Sequence, residues 1–144
     1  MVYDGNRILL LLLQDRVKKD WRGFTFPGGH VEKEESFVQA IIREMHEEAG
    51  LTIIEPKLCG VKQFQTDEDE RYIVLLFKTD KFEGTLTSSD EGKMRWIDRD
   101  SLKKCALVND FMDLLKVFDS DCYNEFMYER NKSGDDWLVR GRYQ

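Results

Sequence analysis

The sequence predicts an α/β fold, in a single domain spanning residues 1–144. Three observations carry that expectation. Residues Ser36 to Ala49 contain no glycine or proline, and Val38, Ile42, Met45 and Ala49 recur at helical spacing. Apolar runs of strand length appear elsewhere, notably Ile8 to Leu13 and Tyr72 to Phe77. A second helical stripe, Phe111, Leu114, Leu115 and Phe118, follows later. A chain of this length can bury a core of its own.

Taken in order, Met1 to Tyr3 and Arg7 to Gln14 read as strands around the turn Asp4-Gly5-Asn6. The apolar run inside the second is too short for a membrane span or a signal segment, so a buried strand is expected. Asp15 to Arg22 is a polar loop. Trp21 and Phe24 flank Gly23 and either line a pocket or pack over the sheet edge. Phe24 to Phe26 is a short strand that ends at Pro27-Gly28-Gly29, where glycines allow close backbone approach to a phosphate or metal. Ser36 is the expected N-cap of the first helix and Gly50 its left-handed terminator.

Beyond Gly50, strands are expected at Ile53-Ile54, Leu58 to Phe64, Tyr72 to Phe77, Glu83 to Leu86 and Met94 to Ile97. The continuous apolar character of Tyr72 to Phe77 predicts a central strand. Thr66 to Glu70 is an acidic turn, and Ser88 to Gly92 a loop. Asp98 caps a short helix over Ser101 to Lys104, and Asn109 heads an amphipathic helix to Phe118. Residues 119–144 form a hairpin extension, with Asn124 to Glu129 and Trp137 to Tyr143 around Asn131 to Gly134. It closes the sheet, covers a pocket or pairs with another subunit.

Charge excludes some partners. Lys and Arg number 22 against 28 Asp and Glu, a net charge of -6. That argues against a nucleic-acid duplex or an anionic membrane. Cys59, Cys105 and Cys122 are widely spaced, as expected of reduced thiols in a cytoplasmic protein.

The first helix carries chemistry as well as packing. Glu44, Glu47 and Glu48 stand at i, i+3 and i+4, so their carboxylates share one arc. They repel one another near the negative end of the helix, and no Lys or Arg is expected within that arc to offset them. A divalent cation would. Oxygen-only donors suit Mg²⁺ or Mn²⁺ rather than Zn²⁺.

The spacing around that helix is specific. Gly29, five residues, Glu35, seven residues and then Arg43-Glu44-Met45-His46-Glu47-Glu48-Ala49-Gly50-Leu51 resembles the Nudix box without a mismatch. Over seven positions, chance agreement falls below about one in a million per chain. The resemblance covers roughly Arg7 to Phe118. It implies an α/β/α sandwich with a mixed sheet, the box forming a loop–helix–loop. It also implies metal-dependent hydrolysis of a nucleoside diphosphate-linked substrate.

By position, the resemblance makes Glu44, Glu47 and Glu48 metal ligands, with Glu44 or Glu48 activating water. Glu35 supports the metal shell directly or through water, and Arg43 orients a box glutamate. A carbonyl of Gly28 or Gly29 adds a ligand, while His30 is a loop residue. Glu91 matches the acidic loop residue of MutT-like members, or else forms a solvated turn with Asp90. Glu34 stands where the family commonly has glycine.

The resemblance narrows the substrate less far. Neither the proline-marked pattern of ADP-ribose hydrolases nor the SQPWPFPxS run of NADH hydrolases is present. Small size and Asn109 at the head of the last helix resemble 8-oxo-dGTP diphosphatases, where an asparagine reads the oxidised guanine; otherwise Asn109 is a helix cap. Another nucleotide substrate (ADP-ribose or a dinucleoside polyphosphate) and a non-catalytic nucleotide-binding module are the alternatives. Nudix domains usually open with a longer strand, so either self-association, as a homodimer, or a longer natural product is expected.

Overall fold

The computed structural model describes residues 1–13, 23–88, 92–133 and 136–144, and between 130 and 140 it describes the backbone alone. The loop expected at 15–22, Trp21 and the Asp90-Glu91 pair lie outside these residues. The chain forms two compact units, Met1–Lys57 with Lys78–Phe111, and Leu58–Phe77 with Met112–Gln144.

The first unit contains β1 (Tyr3–Asp4), β2 (Arg7–Leu13), β3 (Gly23–Thr25), the helix α1 (Phe37–Ala49) and β4 (Leu51–Ile53). The second unit takes β5 (Lys57–Gln65, from Leu58 on) and β6 (Arg71–Lys78, to Phe77). The chain then returns to the first for β7 (Phe82–Gly84), β8 (Gly92–Asp98) and a 3-10 helix (Arg99–Lys104). The helix α2 (Phe111–Asp119) leads back to the second unit, which ends with β9 (Glu125–Ser133) and β10 (Asp136–Tyr143).

In the first unit β2 is the hub. It pairs antiparallel with β1, β3 and β8, the last from Arg7↔Asp98 to Leu13↔Gly92. Its run Ile8 to Leu11 is buried, as its apolar character requires. Leu9 and Leu11 join Val2, Met45, Ala49, Leu51, Ile53 and Met94 in one core cluster. Helix α1 thus packs through Met45 and Ala49, with Ile41 and Ile42 alongside. Val38, expected in the same stripe, is instead 42% exposed. It lies in the first turn, beyond the end of the packed face.

The second unit is a four-stranded sheet in the order β10-β9-β5-β6. It is mixed: β9 runs parallel to β5 and antiparallel to β10. The expected hairpin therefore extends a sheet. The central position expected for Tyr72 to Phe77 is not observed. Among the described residues β6 ends the strand order, with Tyr72 41% and Ile73 57% exposed. A continuous apolar run fixes strand character but not whether both faces are covered.

Both helices start and stop largely as their sequences demand. The Ser36 hydroxyl accepts from the Gln39 N–H, and the Gln39 side chain accepts from the Ser36 N–H, closing a capping box. Gly50 ends α1 at φ 68°. Helix α2 begins two residues later than expected, at Phe111, and buries Phe111, Leu114, Leu115, Val117 and Phe118. Asp98 precedes the 3-10 helix, but its side chain makes no capping hydrogen bond.

Candidate active site

The site is built on α1 and the loop that leads into it, both in the first unit. Strand β3 delivers the chain to Pro27, which is buried, and then to Gly28, Gly29 and His30, which are exposed. The loop turns at Glu34, whose φ is +64°. A side chain there costs about 1–2 kcal/mol against a relaxed conformation. The turn is thus the left-handed one that glycine would favour, and Glu34 tolerates it.

Arg43 is the centre of the constellation. Its Nε and Nη2 grip the two Glu35 carboxylate oxygens at 3.1 and 2.7 Å. Nη2 also donates to the His30 carbonyl at 3.0 Å, which pins the loop to the helix. Nη1 reaches Glu44 at 2.9 Å and Glu47 at 3.2 Å. A planar fork with fixed donors is what such simultaneous orientation requires. The Glu32 N–H completes the shell of Glu35 at 2.7 Å.

These contacts set the charge states. The Arg43 fork, followed by the Glu32 N–H, holds the Glu35 carboxyl below the usual glutamate range. Glu35 and then Glu44 raise the already high pKa of Arg43, so the guanidinium stays charged.

The expectation that no basic group offsets the glutamate arc is therefore overturned. Arg43 is one residue from Glu44 in sequence, but its long side chain curls back to meet both Glu44 and Glu47. In this arrangement the guanidinium fork donates to both Glu35 oxygens. Among the described residues, no three Asp, Glu, His or Cys side chains converge closely enough to enclose a metal ion.

The donor set still fits a hard divalent cation. Glu48 is only 4% exposed, and a buried carboxylate calls for a compensating positive charge. Glu44 and Gly29 share one spot: a Cβ at Gly29 would stand 2.2 Å from the Glu44 carboxylate. Only glycine lets the loop backbone approach the helix carboxylate so closely. Glu47 is the exposed member, its side chain 60% accessible. Glu91 lies outside the described residues.

A second feature comes to the same unit by strand pairing. The Phe24 N–H donates to the Ala106 carbonyl at 2.8 Å and the Val108 N–H to the Phe24 carbonyl at 3.1 Å. Phe24 itself is buried, so it packs rather than lines a pocket. Phe26 and Phe111 stack with ring centroids 4.4 Å apart and planes at 10°. The turn at Asn109 and Asp110 is thereby fixed beside the strand that feeds the box loop. Asn109 is exposed, two residues ahead of the helix it was expected to head. Asp110 is the buried one, at 4%. Sequence reasoning passed over it because an acidic residue before an apolar run reads as an ordinary cap.

A separate cavity of about 760 Å³ lies in the second unit, with Phe64, Asp69, Arg71 and Tyr128 in its wall. None of the box residues lines it.

The family follows from comparison as well as geometry. The NUDIX domain model matches residues 1–116. The chain belongs to the Nudix family. It is 32% identical over 103 residues to the uncharacterized Nudix hydrolase YvcI of Bacillus subtilis, covering 68% of this chain and 64% of that one. It is 37% identical over 83 residues to the oxidized purine nucleoside triphosphate hydrolase of Danio rerio, covering 57% and 51%. An ADP-ribose pyrophosphatase of Methanocaldococcus jannaschii is 34% identical over 121 residues, covering 78% and 69%. Among solved structures, a mutator MutT protein from Bacillus halodurans superposes with a TM-score of 0.74 at 28% identity, over 99% and 92% of the two chains. The chain thus spans between one half and two thirds of the first two relatives. Among its described residues no helix is long and apolar enough to cross a membrane.

Proposed function

We propose that this chain hydrolyses a nucleoside diphosphate-linked substrate with the help of Mg²⁺ or Mn²⁺. A purine nucleoside triphosphate is the favoured substrate, oxidised guanine the favoured base, and monophosphate and pyrophosphate the products. The observation that carries the reading is the Arg43 constellation, in which one guanidinium orients Glu35, Glu44 and Glu47 on the loop and helix of the box.

In this reading Glu44, Glu47 and Glu48 hold the cation, with a carbonyl of Gly28 or Gly29 as a further donor and Glu91 as the acidic loop residue. When bound, such a cation would supply positive charge to the pyrophosphate oxygens. Glu44 or Glu48 accepts a proton from the water whose oxygen attacks phosphorus; as the new P–O bond forms, the bridging P–O bond between the α and β phosphorus atoms breaks, which separates nucleoside monophosphate from pyrophosphate. Arg43 keeps the carboxylates in register, and Glu35 keeps Arg43 in place. Such positioning is a large part of phosphoryl-transfer catalysis.

Base selection falls to Asn109 and its buried neighbour Asp110. An amide donates and accepts together, as a purine edge requires. The resemblance to the zebrafish hydrolase of oxidised purine nucleotides supports this choice. The archaeal ADP-ribose pyrophosphatase supports the second reading, a dinucleotide-type substrate for the same box.

The test is a panel of 8-oxo-dGTP, dNTPs, ADP-ribose, dinucleoside polyphosphates and NADH with Mg²⁺, with and without excess EDTA. The proposal expects 8-oxo-dGTP to give the highest kcat/KM and chelator to abolish turnover. Asn109→Ala should lower the ratio of kcat/KM for 8-oxo-dGTP over dGTP about tenfold, because an unpaired polar edge is strongly disfavoured. A best substrate of ADP-ribose would overturn the base assignment, and full turnover in EDTA the cation assignment.

A further inference from the structure

We infer that the cavity of the second unit binds an uncharged planar heterocycle that presents an N–H beside a C=O, the lactam edge of a nucleoside. The inference goes beyond the proposed hydrolysis, since none of the box residues lines this cavity. Its volume of about 760 Å³ is that of a small-molecule site, for which about 300–1,000 Å³ is usual.

Part of the lining is aromatic and held in place. Phe64 and Tyr128 both contribute, their ring centroids 6.4 Å apart in an edge contact. Tyr72 stacks on Phe64 with centroids 5.0 Å apart. The buried Lys62 sets its ammonium 5.4 Å from the Phe64 ring and 5.5 Å from that of Tyr128. Phe126, fully buried, meets Tyr128 edge-on at 5.1 Å. Rings already fixed by their neighbours lose little freedom when a flat ligand comes against them.

The rest of the lining supplies an acceptor beside a donor. The Thr66 N–H donates to the Glu70 carbonyl at 2.8 Å and closes the turn between β5 and β6. Gln65 and Arg71 are the next residues out from that pair, so they stand opposite each other on one face. Such neighbours are separated by about 4.5–5.5 Å between Cβ atoms. The Gln65 amide nitrogen donates to the Asp69 carbonyl at 2.5 Å and to Asp69 Oδ1 at 3.1 Å. Its hydrogens are thereby engaged, and Oε1 is the atom left to accept. Arg71 donates through Nη1 to Gln63 Oε1, and the Gln63 amide donates in turn to Glu125. Among the described residues Arg71 makes no ion pair, and a guanidinium has further N–H groups for a ligand. A lactam matches this pair: its N–H donates to Gln65 and its carbonyl accepts from Arg71.

Charge selects against a phosphate. Asp67, Asp69 and Glu129 also line the cavity, and Arg142 pairs with Glu129 at 2.7 Å. Asp67 and Asp69 against Arg71 leave the lining acidic, which repels an anion.

Inosine carries the lactam edge without a phosphate and is the probe. Titrated into the nitrogen-15-labelled full chain, it should give saturable amide shifts at residues 63–71 and 127–129. 1-Methylinosine keeps the ring, sugar and carbonyl but lacks the N–H, so its Kd should be about tenfold higher. Arg71→Met removes the donor and keeps an apolar stem, and should weaken inosine by a similar factor. Inosine 5′-monophosphate should bind these residues no tighter than inosine. Absent shifts at 63–71, shifts confined to the box residues 29–50, equal affinity for the two nucleosides, or tighter binding of the monophosphate would each overturn the inference. If Arg71→Met does not fold, the methylated nucleoside carries the test on the unaltered chain. A chain that hydrolyses no nucleotide would still show the inosine shifts, so the two readings fail separately.

Discussion

The network around Arg43 and the network around Tyr143 both fix a helix, and they do so with different chemistry. Around Arg43 the ties are ionic, directional and partly open to water. Around Tyr143 a single charge-assisted hydrogen bond, to Asp113 of α2, sits among aromatic rings. The first arrangement holds like charges close together, which apolar packing cannot do. The second holds position alone, through one hydrogen bond and ring contacts.

The largest expected effect breaks the first network at its purpose. Glu47→Gln and Glu48→Gln preserve shape and remove charge, so kcat should fall about a hundredfold or more with the fold intact. Steady-state rates beside near-UV circular dichroism check this. Loss of the dichroism signal would make these carboxylates structural. Arg43→Lys comes next. The charge survives but the fork does not, so Glu35 and Glu44 can no longer be held together. A roughly tenfold loss in kcat/KM is expected, and wild-type rates in the variant would mean that geometry at Arg43 is immaterial.

Acid tests the first network. Glu35 has a depressed pKa, so its tie to Arg43 is complete above the ordinary glutamate value of about 4.3 and is lost as pH falls through the lower folded one. Protection against amide exchange across 28–35, relative to the intrinsic rate at each pH, should therefore stay constant from pH 8 to about 5 and fall only in stronger acid. In Glu35→Gln it should be low throughout. The smallest effect is at the loop turn. Glu34→Gly relieves a left-handed side chain and adds unfolded-state freedom, for a net gain of about 0.5–1 kcal/mol in chemical denaturation.

Much of the box was legible because its signals are local. Ser36 and Gly50 bound α1 by contacts within a few residues, and the structure has both in place. The exposed Val38 and the edge position of β6 were not legible, since burial depends on which elements arrive from elsewhere. The Arg43 grip on two glutamates depends on side-chain reach, which sequence spacing leaves open. Tyr143 was missed for a related reason: it is an ordinary residue in sequence, and its partner Asp113 lies far back along the chain.

The parallel pairing of β5 with β9 has a consequence for how the protein is made. Val61 must wait for Glu125, and Asp113 for Tyr143, before the second unit can close. The intervening stretch Lys78–Phe111 belongs to the other unit, which contains the box and draws on neither β9 nor β10. Contacts of such long sequence separation slow folding, because loop closure precedes any reward. During synthesis the residues of the box unit have all been made by Phe111, before β9 and β10 exist. Residues 58–77 remain unpaired with β9 until the final stretch emerges, and a stalled or clipped chain would leave that sheet open to aggregation.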